Sequence, residues 1–150
     1  MKLSRKTGYA LRALTELAEH AGQGALQAQE LARREQIPPK FLEQILLELR
    51  RAGMVHSRRG AGRGYALSLQ PGQISVADVV ALIEGPVALV SERPGPAAAG
   101  PVTGACGLPA VMAELSAEVC DLLGGVSVAD IQARSAELRA QAGYVGEYSI

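Results

Sequence analysis

No stretch of the 150-residue chain approaches twenty consecutive apolar positions, the length a helix needs to span a bilayer. The first ten residues, MKLSRKTGYA, hold no apolar run of signal-peptide length, so a cytoplasmic, soluble protein with no membrane partner is expected. Cysteine is scarce. Cys106 and Cys120 are the only two, which gives no basis for a secreted disulfide framework. His20 and His56 each stand alone, far from any ligand-spaced partner, and no metal site is expected of them. No paired carboxylates, Ser/His/Asp set or Cys/His pair accompanies the glycine-rich stretch at Gly60–Gly64, so an enzyme is not expected.

Net charge is absent too, with 15 Lys and Arg against 15 Asp and Glu. The balance hides a division. Residues 1–73 hold 12 Lys/Arg against 6 Asp/Glu, whereas residues 74–150 hold 3 against 9. A polyanion facing the first half, with an acidic surface turned away from it, is the simplest electrostatic reading. With 48% hydrophobic residues, the chain can bury one core and carry an appendage.

The stretch Ile37 to Gly53, IPPKFLEQILLELRRAG, organises the rest. Pro38 and Pro39 suit the first turn of a helix, where proline's missing N–H costs nothing, and Gly53 can supply the left-handed residue that ends it. Leu42, Ile45, Leu46 and Leu49 recur at i, i+3, i+4 and i+7 and form the face to be buried. Lys40, Glu43, Gln44, Leu47 and Arg51 lie opposite, an arc of mostly polar groups able to meet base edges or phosphates.

The following stretch, SRRGAGRGY from Ser57 to Tyr65, invites a dinucleotide-binding reading through its glycines. That fingerprint needs different glycine spacing and a helix directly after it. Here Tyr65, Leu67 and Leu69 alternate with Ala66 and Ser68 instead, as in a half-buried strand. A β-hairpin tipped by Arg58, Arg59 and Arg63 is predicted. A helix followed by a basic hairpin is the layout of a winged helix-turn-helix, in which the helix enters the major groove and the wing reaches flanking phosphates.

The remaining segments fit around this unit. Ser4 caps a first helix whose Ala10, Leu14, Leu17, Ala18 and Ala21 share a face, closed by Gly22 and Gly24. Its basic start, Lys2, Arg5 and Lys6, sits at the positive end of a helix dipole, where an anion such as a phosphate could offset the cost. Gln27 to Glu35 is a short second helix with Leu31, Ala28 and Ala32 inward. After a Pro71-Gly72 turn, Ser75 and Asp78 box-cap a helix from Val76 to Glu84, stopped by Gly85-Pro86.

Residues 86–107 then read as a glycine- and proline-rich loop. From Leu108 a longer helix places Leu108, Met112, Leu115, Val119 and Leu122 on a narrow seam, as a helix that pairs with another helix requires. Ser127 and Asp130 repeat the earlier cap before a last helix from Ile131 to Leu138. This second Ser-Val-Ala-Asp is shared capping chemistry rather than an internal repeat. The tail, 143–150, shows no periodicity and is expected to fray.

LSRKTGYALRALTELA at the start, FLEQILLELRRAGMVHSRRGAGRGYALS in the middle and SVADVVALIEG after it resemble the Rrf-two family of bacterial regulators, the group of IscR, NsrR and CymR. The resemblance is close over residues 1–85 and looser through the helix at Leu108. It implies a mainly α fold with a small β-hairpin. Residues 1–85 would be a winged helix-turn-helix domain, 86–107 a loop, and 108–142 a dimerisation helix with a C-terminal helix. It further implies a homodimer that binds a palindromic promoter site in double-stranded DNA, usually to repress.

Carried over by position, Lys6, Pro39, Lys40, Glu43, Gln44, Arg51, Arg58, Arg59, Arg63 and Tyr65 are expected to meet DNA, and the Leu108 to Leu122 seam to hold the dimer. Members that sense iron–sulfur clusters carry three cysteines in the loop after the fourth helix. This chain has only Cys106 there, and Pro109 stands three residues beyond it. Since a cluster normally takes four protein ligands, none held in the family's usual way is expected. Cys106 and Cys120 are instead candidates for a redox switch, with Cys120, one position from the seam, otherwise read as a small buried residue. The alternative function is a regulator whose signal is a bound partner protein or the redox state of these cysteines.

Overall fold

The computed structural model describes residues 1–90 and 107–148, with side chains through residue 143. Helix α1 spans Arg5–Glu19, α2 Ala28–Glu35 and α3 Pro39–Arg51. A hairpin of β1 (Val55–Arg58) and β2 (Gly64–Leu67) follows, then a 3-10 turn at Pro71–Gln73 and α4, Val76–Glu84. Helices α5 (Leu108–Gly124) and α6 (Val128–Tyr148) complete the described chain. The architecture is mainly α with one two-stranded antiparallel sheet.

Apolar periodicity explains the head. Ala10, Ala13, Leu14 and Leu17 of α1 meet Leu31 of α2 and the α3 stripe of Leu42, Ile45, Leu46 and Leu49, all buried. Ile37, between α2 and α3, is also buried. The turn there depends on Gln36, whose φ of 52° lets its N–H reach Arg33 and the Ile37 N–H reach Ala32. Pro38 then stands at the N-cap of α3 and Pro39 inside its first turn, while Gly53, φ 76°, closes the helix.

Helix α6 is bonded into the head. Val128 is fully buried in the core, its N–H donates to Ile74 at 2.9 Å, and the Val76 N–H donates to Val126 at 2.8 Å. Ser75 and Ser127 thus form an antiparallel bridge, and the two Ser-Val-Ala-Asp caps lie side by side. Further along, Arg139 grips Glu19 of α1 with two bonds of 2.8 and 2.9 Å.

The described part of α6 continues to Tyr148, past the point where a frayed tail was predicted. Up to Ala142 no apolar stripe marks the helix, but Ala133, Ala136, Leu138, Arg139, Ala140, Gln141 and Ala142 favour it through intrinsic propensity; nothing in the sequence of residues 143–148 announces its continuation. The glycine- and proline-rich loop, which includes Cys106, lies outside the described residues over 91–106.

At the N-terminus of α1 the chain supplies an anion of its own: Glu84, at the end of α4, accepts from the Ser4 N–H at 2.7 Å and from the Thr7 hydroxyl at 2.6 Å. Ser4 Oγ meanwhile accepts from the Thr7 N–H. Eighty residues separate the partners, too far for a spacing argument. Hydrogen bonds from Ser4 and Thr7 favour the ionised form and hold the Glu84 carboxyl below the usual carboxylate range.

A group whose pKa is depressed by folding stabilises the fold above its unfolded pKa, and that contribution fades as pH falls through the folded value. Glu84→Gln is therefore expected to lower the urea midpoint at neutral pH. Below the ordinary carboxylate range the difference from wild type should shrink. A constant difference between neutral pH and pH about 2, well below the ordinary value of about 4.3, would contradict this role.

Candidate nucleic-acid interface

With its stripe inside, α3 turns Pro39, Lys40, Glu43, Gln44, Leu47 and Arg51 outward, and all six are exposed. The arc read from the helical wheel is the free face of the helix. Phe41, at its edge, is 44% exposed and meets Tyr9 of α1 edge to face, with ring centroids 6.2 Å apart.

The hairpin pairs Val55 with Leu67, His56 with Ala66, Ser57 with Tyr65 and Arg58 with Gly64. Its tip is thus residues 59–63, closed by an Arg63 N–H bond to the Gly60 carbonyl at 3.1 Å. Arg58, Arg59 and Arg63 are all exposed there. Strand β2 is held from its other side: Leu26, in the loop between α1 and α2, exchanges two backbone bonds with Tyr65, at 2.9 and 2.8 Å.

Gly64 makes that exchange possible. Its φ is 148°, and a Cβ there would stand 2.5 Å from the Leu26 carbonyl oxygen. Tyr65, predicted to meet DNA, is half-buried and packs on the core. It anchors the wing to the head, and the arginines project beyond it.

Charge pairing separates two groups of cations within residues 1–73. Lys6 pairs with Glu48, Arg12 with Glu35, Arg33 with Glu30, and Arg34 with Glu16 and Glu30. Bonds from Arg33 and Arg34 lower the Glu30 carboxyl to about 2. Lys2, Arg5, Lys40, Arg50, Arg51, Arg58, Arg59 and Arg63 have no carboxylate within ion-pair distance among the described residues. The unpaired set lies on α3, the wing and the start of the chain. Of these, Arg50 was absent from the predicted contacts, while Lys2 and Arg5 were expected only to face an anion at the start of the first helix, since sequence spacing does not reveal which cations find a partner.

Lys6 was predicted to meet DNA, and its ammonium is engaged by Glu48 at 2.5 Å. The predicted dimer seam on α5 divides. Leu108, Leu115 and Leu122 are exposed, joined by Val111, while Met112 and Val119, along the adjoining edge of the same stripe, are half-buried. Cys120, expected to be buried, is exposed, because α5 buries none of its side chains fully within one chain.

A model of the Rrf2 family, described as an iron-dependent transcriptional regulator, matches residues 3–134. A protein of Rhodobacter capsulatus described as an rrf2-like regulator of the HTH type is 45% identical over 89 residues, 57% of this chain and 59% of its own length. The chain spans less than two thirds of the length of the curated relatives it matches first. Among solved structures, CymR, the global cysteine regulator of B. subtilis, superposes with a TM-score of 0.74 at 27% identity, covering 89% of this chain and 98% of that one. IscR of T. potens gives 0.71 at 27% identity, covering 90% and 88%.

The close approach at Gly64 generates a test of how the wing is held. Gly64→Ala must move the backbone of Leu26 or abandon the positive φ, at a cost of about 1–3 kcal/mol. Hydrogen exchange should show early loss of protection at Tyr65 and Leu26. Unchanged protection at both amides would refute the anchoring.

Proposed function

Because this chain belongs to the Rrf2 family of transcriptional regulators, we propose that it is a homodimeric winged helix-turn-helix protein that binds a palindromic promoter site in the cytoplasm and represses transcription. The family and its relatives regulate transcription and are not enzymes. No helix among the described residues is long and apolar enough to cross a membrane.

The observation that carries the reading is the set of cations on α3, the wing and the start of the chain that have no carboxylate partner among the described residues. A protein facing only water gains little by leaving eight of the twelve cations of residues 1–73 without a carboxylate partner among the described residues, whereas a polyphosphate backbone supplies anions for them. Lys40, Glu43, Gln44 and Arg51 carry donors and acceptors that suit base edges or the phosphates beside them. Arg58, Arg59 and Arg63 suit the flanking backbone or minor groove.

The exposed apolar stripe on α5 supports pairing with a second copy. Leu108 is 60%, Val111 50%, Leu115 43% and Leu122 75% exposed in one chain, and a helix–helix contact would take them from water. Signal input through a cluster held by a single chain is not part of the proposal. Cys106 and Cys120 supply two thiolates where a cluster normally takes four ligands. Among the described residues no group of three or more His, Cys, Asp or Glu is placed to hold a metal ion.

Binding to a selected duplex is expected to weaken steeply as salt rises. Arg59→Ala with Arg63→Ala should weaken all sequences alike, whereas Gln44→Ala should cost about 1–3 kcal/mol only on sites with the matching base. Titrations on the selected duplex and its point variants, at several salt concentrations, check both; binding indifferent to salt would overturn the proposal. Leu115→Glu, tested by sedimentation, should yield monomers with an intact head and at least tenfold weaker binding to the palindrome. A variant that stays dimeric would remove α5 from the interface.

A further inference from the structure

The pairing of Lys6 with Glu48 carries a consequence for specificity that rests on the DNA-binding reading above. Lys6 lies in the first turn of α1, and Glu48 lies on α3 one turn after Gln44. Their Nζ–Oε1 separation is 2.5 Å, with side chains 28% and 32% exposed. Glu48 therefore occupies the flank of α3, between the buried stripe and the outward arc, and brings a lysine from another helix to that flank. Within residues 1–73 the other paired cations, Arg12, Arg33 and Arg34, lie on α1 and α2 and bond to carboxylates of those two helices. Lys6 alone among these is held by a carboxylate of α3.

We propose that Glu48 is a specificity determinant that keeps Lys6 from the DNA backbone. A phosphate approaching this flank meets an ammonium already neutralised by a carboxylate. To recruit Lys6 it must displace that carboxylate and leave a negative charge beside the duplex. Contacts made on any sequence are thereby reduced by one cation per chain, while base contacts from Gln44 and its neighbours are untouched. Glu48 thus lowers the general, sequence-independent part of the affinity and widens the margin in favour of the chosen site.

The test uses the full-length dimer, a random-sequence duplex and a duplex selected from a random pool, with affinity measured across a salt series. Glu48→Gln keeps the size and removes the charge. It is expected to bind the random duplex several-fold more tightly and to steepen the slope of log K against log salt by about 0.9 per chain, the increment for one newly engaged phosphate. The preference for the selected duplex should fall correspondingly. Lys6→Met in the Glu48→Gln background should return the slope to the wild-type value, whereas Lys6→Met alone should leave it nearly unchanged.

An unaltered slope in Glu48→Gln overturns the proposal. So does a steeper slope that persists after Lys6→Met, since the gain would then come from losing a negative charge and not from releasing Lys6. Thermal melts of each variant separate a loss of folding from these outcomes, and the conservative Glu48→Asp, if folded, should restore wild-type behaviour. If wild type binds neither duplex, the DNA-binding reading fails first, which is a different result from a wild type that binds while Glu48→Gln behaves identically.

Discussion

Four side chains, Leu42, Ile45, Leu46 and Leu49, none more than 1% exposed, set how α3 is turned. Burying each is worth about 1.5–3 kcal/mol, and rotating the helix by one residue position would bring polar groups inward and forfeit most of that. The outward arc is therefore determined by what is inside. Lys40, Glu43, Gln44 and Arg51 need no interactions of their own to hold their direction, and leaving them without partners costs the fold little. The outward face of α3 is thus preorganised by its buried side.

The wing obeys a related constraint by a different means. A two-stranded ribbon is marginal alone, and this one is secured by Val55 in the core and by the Leu26–Tyr65 exchange across Gly64. A third short segment thus joins the edge of β2, and the arginines need only be carried at the far end. Helix and ribbon share an anchor as well: the Met54 N–H donates to Leu49, and its carbonyl accepts from Ser68. The residue that ends α3's last turn also starts the wing, which fixes the spacing between the two cationic surfaces.

What could be read from the sequence was local. Stripes at helical spacing gave α1 to α4, and the Ser75–Asp78 and Ser127–Asp130 boxes marked where α4 and α6 begin. Contacts between distant positions were illegible, because no periodicity announces that Glu84 caps α1, that Glu19 waits for Arg139, or that Lys6 ends on Glu48. Each is a polar side chain whose partner is chosen by tertiary position. The resemblance to a family supplied the candidate contacts with DNA but not their surroundings: that Tyr65 packs on the core and that Lys6 is paired with Glu48 follows from neighbours that no residue type announces.

Helix α5 is tied directly to the head. If it hung from a linker, a second copy could be paired without constraining where the two α3 helices point. Instead α5 ends at Gly124, and two residues later Val126 accepts from Val76, while Val128 donates to Ile74 and is fully buried. The start of α4 and the start of α6 are thus stitched together directly beneath the end of α5. In the proposed dimer, a pairing along Leu115 and Leu122 would be transmitted through the short connection at 125–127 and these two backbone bonds to the core that orients α3. On the proposed palindrome this would matter more than the strength of the pairing, because half-sites lie one helical turn of about 34–36 Å apart and the two α3 helices would have to keep that separation.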